Sequence, residues 1–449
     1  MTTSVLWLRR DLRLADSPAL LAARDAADEV VPLFVLDDAL RGPSGAPRLA
    51  FLYRCLRELT ERTDGRLRVL AGRPEVVVPR VAREVEAGGV HISGDHGPYG
   101  RERDHRVEAA LGQVPLVATG SPYAVTPGQL LKDDGTPYRV YTPFARAWTA
   151  RGVHSPGLTP RVVAWTDGGL PSDGVPADPD LGDVELPPAG ERGALARWRE
   201  FLDDGIEDYH RLRNNPGVDG TSRLSVYLKY GCIHPRTLLA QLPNSDGGDA
   251  LRREVVFRDF YADVLHHRPD SARHELQPQL AKLEYDNGEH AETLWGAWAT
   301  GRTGFPIVDA GMRQLLGEAW MHNRVRMIVG SFLCKDLHLH WRRGARFFMQ
   351  HLRDGDLANN QQGWQWIAGT GTDPSPYFRV FNPVKQGQDH DPRGDYIRRW
   401  VPELRDVPGK AVHEPWTLPD GLPEGYPQRV VDHSAERQEA LRRYADARR

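Results

Sequence analysis

Between Asp354 and Pro383 the chain reads DGDLANNQQGWQWIAGTGTDPSPYFRVFNP. Two acids close together, two adjacent amides, two tryptophans one residue apart and an arginine among aromatics share this stretch. Apolar periodicity is poor and glycine is frequent, so core-building does not explain the mixture. Short polar groups set beside indoles make a wall for something flat and polar-edged. Asp354 and Asp356 flank Gly355. Paired carboxylates bind metals or serve as acid and base, but no His or Glu follows at ligand spacing, and the metal reading is poor. Alternatively, both accept hydrogen bonds from the N–H edges of a heterocycle and pair with Arg326, while Asn360 reaches the same ring.

Two other segments carry chemistry. GTSRLS (Gly220–Ser225) offers hydroxyls, backbone N–H groups and the charge of Arg223, which suits a phosphate. It lacks the Gly-Lys-Ser/Thr ending of a Walker loop, and a helix N-cap beside an arginine accounts for it equally well. In WMHNRVRM (Trp320–Met327), helical spacing puts Asn323, Arg326 and Met327 on one face. That is an odd set for a core, although a surface helix with ion pairs is the plain alternative. Trp341, Trp364 and Trp366 read as core aromatics or, around a redox-active ring, as an electron relay.

These residues need elements to position them. In the first 120 residues, Val5–Leu8, Val31–Leu36, Leu67–Leu70, Val90–Ser93 and Pro115–Ala118 are short apolar runs that read as buried strands. Helical spacing at Pro18–Ala27, Arg48–Arg62, Glu75–Ala87 and Arg101–Leu111 alternates with them. The alternation predicts a Rossmann-like parallel sheet wrapped by helices, with ligands at the carboxyl ends of the strands. No G-x-G-x-x-G follows the first strand; Arg9, Arg10 and Asp11 stand there, which disfavours a nicotinamide dinucleotide. From about Tyr123 to Glu191 the chain is rich in Pro, Gly and Asp and reads as an exposed connector. Beyond it, Ala194–Asp208, Asp249–Leu265, Phe305–Trp320, Arg324–Leu339 and Gly344–Leu352 are amphipathic. The expected layout is an α/β domain over residues 1–130, a connector over 131–193 and an all-helical domain over 194–449.

Composition bounds the rest. At 449 residues, with 40% hydrophobic and 27% charged positions, the chain is too long for one core and has an ordinary globular balance. No apolar run approaches a membrane span, and MTTSVLWLRRDLRL has the wrong order for a secretory signal. Three cysteines, odd in number and far apart in sequence, point to a reducing cytoplasm rather than a disulfide frame or zinc site. The net charge of −3 speaks against nucleic acid, but its distribution is uneven. Trp165–Asp208 holds twelve acids against three arginines, whereas Trp295–Trp400 holds fourteen Lys/Arg against nine acids. A basic, tryptophan-rich C-terminal half suits a polyanion; for the charge alone, solvated helix faces are the better explanation.

VLWLRRDLRLADSPAL, GTSRLS, GRTGFPIVDAGMRQL, WMHNRVRMIVGSFLCKDL and DGDLANN…GWQW…TGTDPSPYFRVFNP together resemble the DNA photolyase/cryptochrome family, in order and at family spacing from Val5 to about His413. The resemblance implies FAD in the helical domain. Tyr209, Thr221, Ser222, Arg223, Leu224 and Ser225 would surround its phosphates and ribityl chain; Arg326, Asp354, Gly355 and Asp356 would contact the isoalloxazine, and Asn360 would face N5. Light would excite the reduced flavin, which gives an electron to a pyrimidine dimer; the ring opens and the electron returns. The dimer would first have to flip out of the duplex, since a stacked base is out of reach of an enzyme's interior, and damaged bases are the least costly to extrude. Glu254, Phe257, Asn323, Met327 and Trp366 would meet the dimer, with Glu254, Asn360 and Trp366 closest to catalysis, and Arg379 and Gln386 on the DNA side. Trp364 and Trp341 would form the inner electron relay. The expected partner is dimer-containing DNA, with the protein monomeric, cytoplasmic and without metal.

The reading Met321-His322-Asn323, without a histidine pair, resembles the class I cyclobutane-dimer branch. Asp95, before HGPYGRERD, and Arg48 resemble the subgroup with an 8-hydroxy-5-deazaflavin antenna in the α/β domain; methenyltetrahydrofolate is the alternative. The chain departs from the family twice. Phe257 stands where that branch has a tryptophan, which implies weaker lesion binding, and the outer relay residue has no clear match, Tyr285 and Trp295 being candidates. A cryptochrome, sensing blue light without repair, is the main rival, and a light-independent flavin redox enzyme the second.

Overall fold

The computed structural model describes residues 1–372 and 379–449; the DPSPYF part of the opening motif lies outside them. Five strands, β1 (Thr3–Leu8), β2 (Glu29–Leu36), β3 (Arg68–Ala71), β4 (Gly89–Ile92) and β5 (Leu116–Ala118), form one sheet in the order β3-β2-β1-β4-β5. Every pairing is parallel, as the helical crossovers between short apolar runs require. The strand order reverses at β1. Its carboxyl end, where Arg9, Arg10 and Asp11 follow, is therefore the crevice of the sheet.

Alternation along β1 sends side chains to both faces. Val5 and Trp7 join Val31, Leu33, Val77, Val81 and Val107 in one core. Leu6 and Leu8 join a second core that runs on through Phe51 into Trp198, Phe201, Tyr227 and Leu251 of the helical half. The sheet and the helices are thus joined by shared apolar packing rather than by a tether. Cys55 and Cys232, distant in sequence, meet there with sulfurs 3.6 Å apart, both buried.

A third core, within the helical half, packs around Trp298, Phe305, Phe332, Trp341, Phe348 and Trp364. Helices Asn323–Lys335, Trp341–His351 and Leu357–Ala368 build it together. Gly344 lets two of them close: a Cβ there would lie 2.1 Å from the Trp364 ring. Among the described residues, every named strand belongs to the N-terminal sheet.

The stretch read as a connector is not irregular throughout. Tyr141–Arg151 is a helix, whose buried Phe144 and Trp148 pack on the long helix Asp246–His267. Trp148 donates to Asp259 at 2.9 Å. The Pro/Gly/Asp density around it hid an ordinary i, i+4 apolar pair. The segment 171–189 has no regular element, as expected, and is held down by Asp178, which accepts from Arg54 at 2.6 Å and from Arg57.

Candidate functional site

Asp354, Gly355 and Asp356 lie between the helices Trp341–His351 and Leu357–Ala368. Asp354 is almost fully buried. Arg326 donates to both its oxygens, at 2.9 and 3.2 Å, and Ser225 Oγ donates at 2.6 Å. Asp356 caps the following helix, accepting from the Asn359 N–H at 3.1 Å. Its other oxygen takes a 2.6 Å bond from Arg10, at the end of β1. The expectation that both acids share Arg326 is corrected: only Asp354 does, because the capping geometry turns Asp356 toward the α/β domain. Burial alone would raise the Asp356 carboxyl, but Arg10, Lys229 and Arg258 hold it well below the usual range. Gly355 allows close approach, since a Cβ there would meet Arg48 and the Met349 sulfur at 3.3 Å each. Asn360 donates from Nδ2 to Ala345 O at 3.0 Å and to Gln361 at 2.9 Å, so both hydrogens of its amide nitrogen are engaged.

Gly220–Leu224 is a loop running into the helix Ser225–Tyr230. Arg197, which sequence reasoning missed, holds it by donating to Thr221 O and Ser222 O, each at 2.9 Å. Arg223 adopts a left-handed backbone, φ 53°. Its guanidinium bonds Asp219 at 3.0 Å and lies 4.5 Å over the Trp320 ring, so its charge is already engaged. Leu224 and Tyr209 are buried, Thr221 and Ser222 half-buried, and Ser225 exposed.

Glu254 and Phe257 share a face of the helix Asp246–His267. Arg213 bonds one Glu254 oxygen at 2.5 Å and lies 5.5 Å over the Tyr209 ring. Burial, followed by the Glu254 charge, pushes the Tyr209 phenol up. Tyr141 stacks on Phe257, ring centroids 3.6 Å apart and planes within 1°. Nearby, Arg324 donates to Asn214 at 2.8 Å, at the start of the helix that carries exposed Asn323 and half-buried Arg326 and Met327. His322 caps that helix; burial and then Arg326 and Arg324 push its imidazole down to about 3, so it is neutral at ordinary pH. Its Nε2, like Gln386 Oε1, is buried without a partner among the described residues. Arg379 is exposed, and its carbonyl accepts from Lys335.

Trp364 and Trp366, two residues apart on one helix, point about 200° apart. Trp364 is buried against Phe348 (5.0 Å) and Trp298 (6.3 Å), whereas Trp366 is half-exposed. Trp341 is fully buried and donates to Glu275 at 3.0 Å. Both outer relay candidates adjoin the cluster. Tyr285 stacks on His340 at 4.3 Å, beside Trp341; Trp295 stacks on Trp298 at 5.3 Å, with Arg343 4.3 Å over it.

Asp95 lies at the crevice of the sheet, 3.3 Å from Arg103. Burial opposes its charge, but Arg103, Arg10 and Arg9 bring its carboxyl to about 2. Arg48 is buried, donates to Pro43 O at 3.1 Å and adjoins Gly355, so it stands between the crevice and the Asp354 loop. Lys229 was missed: burial, then the charge of Arg10, pushes its amine down to about 7. The signal was there, since Lys229 follows Ser225 by one helical turn.

The family model for the FAD binding domain of DNA photolyase matches residues 251–446, and that for DNA photolyase matches 4–161. A deoxyribodipyrimidine photo-lyase of Streptomyces griseus is 43% identical over 96% of this chain and 97% of its own. A bacterial class III photolyase from Agrobacterium tumefaciens superposes with a TM-score of 0.93 at 34% identity, covering 100% of this chain and 98% of that one. An archaeal photolyase from Sulfolobus tokodaii, solved with two FAD molecules, superposes with a TM-score of 0.87 at 29% identity, covering 99% and 100%. The two halves of the chain, the sheet crevice and the Asp354 loop thus fall together in one assignment: this chain belongs to the DNA photolyase family.

Proposed function

We propose that this protein is a deoxyribodipyrimidine photo-lyase that splits cyclobutane pyrimidine dimers in DNA under blue light. The full-length relationship to photo-lyases supports the reading. Within the chain, the observation that carries it is that two acids are each held by an arginine, buried Asp354 by Arg326 and Glu254 by Arg213: one acidic group for a cofactor ring, another for a base edge.

The residues fit FAD. Asp354 and Arg326 supply an acceptor and a donor, Asn360 keeps an amide oxygen available, and the Gly220–Ser225 loop presents hydroxyls and N–H groups. Bound FAD supplies the electron that light sends to the dimer and receives it back. The protein's own residues bind and orient. Arg326 places a fixed cation where negative charge collects. Arg213 ties one Glu254 oxygen, leaving the other to accept from a pyrimidine N–H. Trp366, half-exposed, offers a π-face to a flipped base, and the exposed Arg379, with Gln386, lies on the DNA side. Basic side chains around them neutralise phosphates, so binding weakens with salt.

We further read the chain as the class I type with an anionic deazaflavin antenna in the sheet crevice. Arg10, Arg48 and Lys229 supply cations and Asp95 an acceptor, the other three all within electrostatic reach of Lys229. It acts as a monomer in the cytoplasm. Among the described residues no helix is long and apolar enough to cross a membrane.

Purified protein, loaded with flavin and mixed with a dimer-containing oligonucleotide, tests this. Repair in blue light alone supports it. A photocycle without repair would make the protein a cryptochrome; turnover of a small reductant in darkness would make it a redox enzyme.

A further inference from the structure

We infer that Tyr141 is a positioning residue for lesion binding: its ring backs Phe257, so that a stacked tyrosine–phenylalanine pair does what one indole would do alone. The inference rests on the reading of Phe257 as a lesion-side residue. The two rings are parallel at 3.6 Å, and both are half-buried. Tyr141 covers one face of Phe257, and the Tyr261 ring lies 6.0 Å away, tilted by 55°, so at most one face is left for a base.

Tyr141 is held from several directions. Its ring meets Phe260 edge-on at 5.9 Å, and its hydroxyl donates to Arg253 O at 3.3 Å, the residue before Glu254. Three residues on, Phe144 packs on Phe260 at 5.2 Å, and Trp148 locks the same helix to Asp259. Burial and then the charge of Glu254 push the Tyr141 phenol up to about 12, so it stays neutral and donating. A phenylalanine with one face in solvent tips freely; one clamped against a fixed ring does not, and immobilising it costs less when a base arrives. The segment carrying Tyr141 lies in the stretch whose composition suggested only a connector.

The test measures affinity for a duplex with one dimer and for the same duplex undamaged, with flavin absorbance and far-UV circular dichroism confirming that each variant is folded and loaded. Tyr141→Ala is expected to weaken dimer binding about three- to tenfold, with undamaged DNA unchanged. Tyr141→Phe keeps the stack and retains most of the affinity; Tyr141→Leu, which fills the space without a π-face, behaves like the alanine variant. Phe257→Ala loses at least as much, and the double variant loses no more than Phe257→Ala, because Tyr141 acts through that ring. Unchanged dimer binding in Tyr141→Ala while Phe257→Ala is impaired would overturn the inference and leave the lesion-side reading standing. Equal loss on undamaged DNA, or additivity in the double variant, would overturn it too. If Phe257→Ala itself binds dimer normally, the lesion-side reading fails first.

Discussion

Arg10 and Asp356 are 346 positions apart in sequence, yet the guanidinium donates to the carboxylate at 2.6 Å. The bond runs from the carboxyl end of β1 to the N-cap of the helix that carries Asn360, Trp364 and Trp366. It ties the sheet crevice to the loop that holds Asp354, and both ends are largely buried, with Arg10 24% and Asp356 10% exposed.

Losing one partner of this pair strands a charge. Asp356→Asn keeps the helix cap, since Asn caps as well as Asp, so the variant isolates the ion pair. We expect it to lose about 2–4 kcal/mol of unfolding free energy, below the usual cost for a buried pair because part of Arg10 meets solvent. The sign with pH follows from the depressed carboxyl. Its contribution is present above the ordinary Asp value, about 4, and is lost as pH falls through the lower folded value. The acid limb of a urea-midpoint-against-pH curve should therefore be flatter in Asp356→Asn than in the parent.

Much of this was legible beforehand. The five strands and their helices follow from short apolar runs, because burial on both faces leaves a local record. Trp364 and Trp366 separate into buried and half-exposed because helical geometry fixes their angle. Arg10–Asp356 left no such record: a pair joined between the end of a strand and a distant helix N-cap has no spacing to read. The sequence also offered Arg326 to both acids, and only the cap on Asn359 decides which one turns away. Tyr141 was hidden by proline- and glycine-rich neighbours, and Arg223 looked free until Asp219 and Trp320 claimed it.

Asp354 should govern cofactor retention. Asp354→Asn removes a charge-assisted bond to Arg326 and is expected to weaken flavin binding about ten- to a hundredfold, while Ser225→Ala costs about fivefold. The ratio of flavin to protein absorbance after dialysis reads both.

Trp366→Ala should cost about five- to a hundredfold in affinity for dimer-containing DNA, the worth of a base stack. Undamaged duplex should bind as before, with the same salt slope. Equilibrium titrations at two salt concentrations would check both points.

The route by which electrons reach the buried tryptophans should end at Trp295 rather than Tyr285. The Tyr285 hydroxyl is buried without a partner among the described residues, and burial pushes its phenol well up, so an oxidised Tyr285 has nowhere to send its proton. Trp295 is half-exposed and joins Trp364 through Trp298. Light-driven bleaching of the flavin band with an external thiol should slow several-fold in Trp295→Phe and Trp298→Phe, and little in Tyr285→Phe.

Lys229 should make antenna binding pH-dependent. With its amine near 7, an anionic chromophore binds best to the protonated form. Above that pH a proton must be taken up, so affinity should fall toward about tenfold per pH unit. Lys229→Met should bind weakly at every pH and lose the slope, as fluorescence titration with 8-hydroxy-5-deazaflavin would show.

Light-driven, redox-neutral repair is measured directly by counting dimers cleaved per protein molecule, in blue light and in darkness, with pre-reduced flavin and no further reductant. Many turnovers are expected in the light and none in the dark. No cleavage in the light by flavin-loaded protein that binds the damaged duplex would contradict such repair.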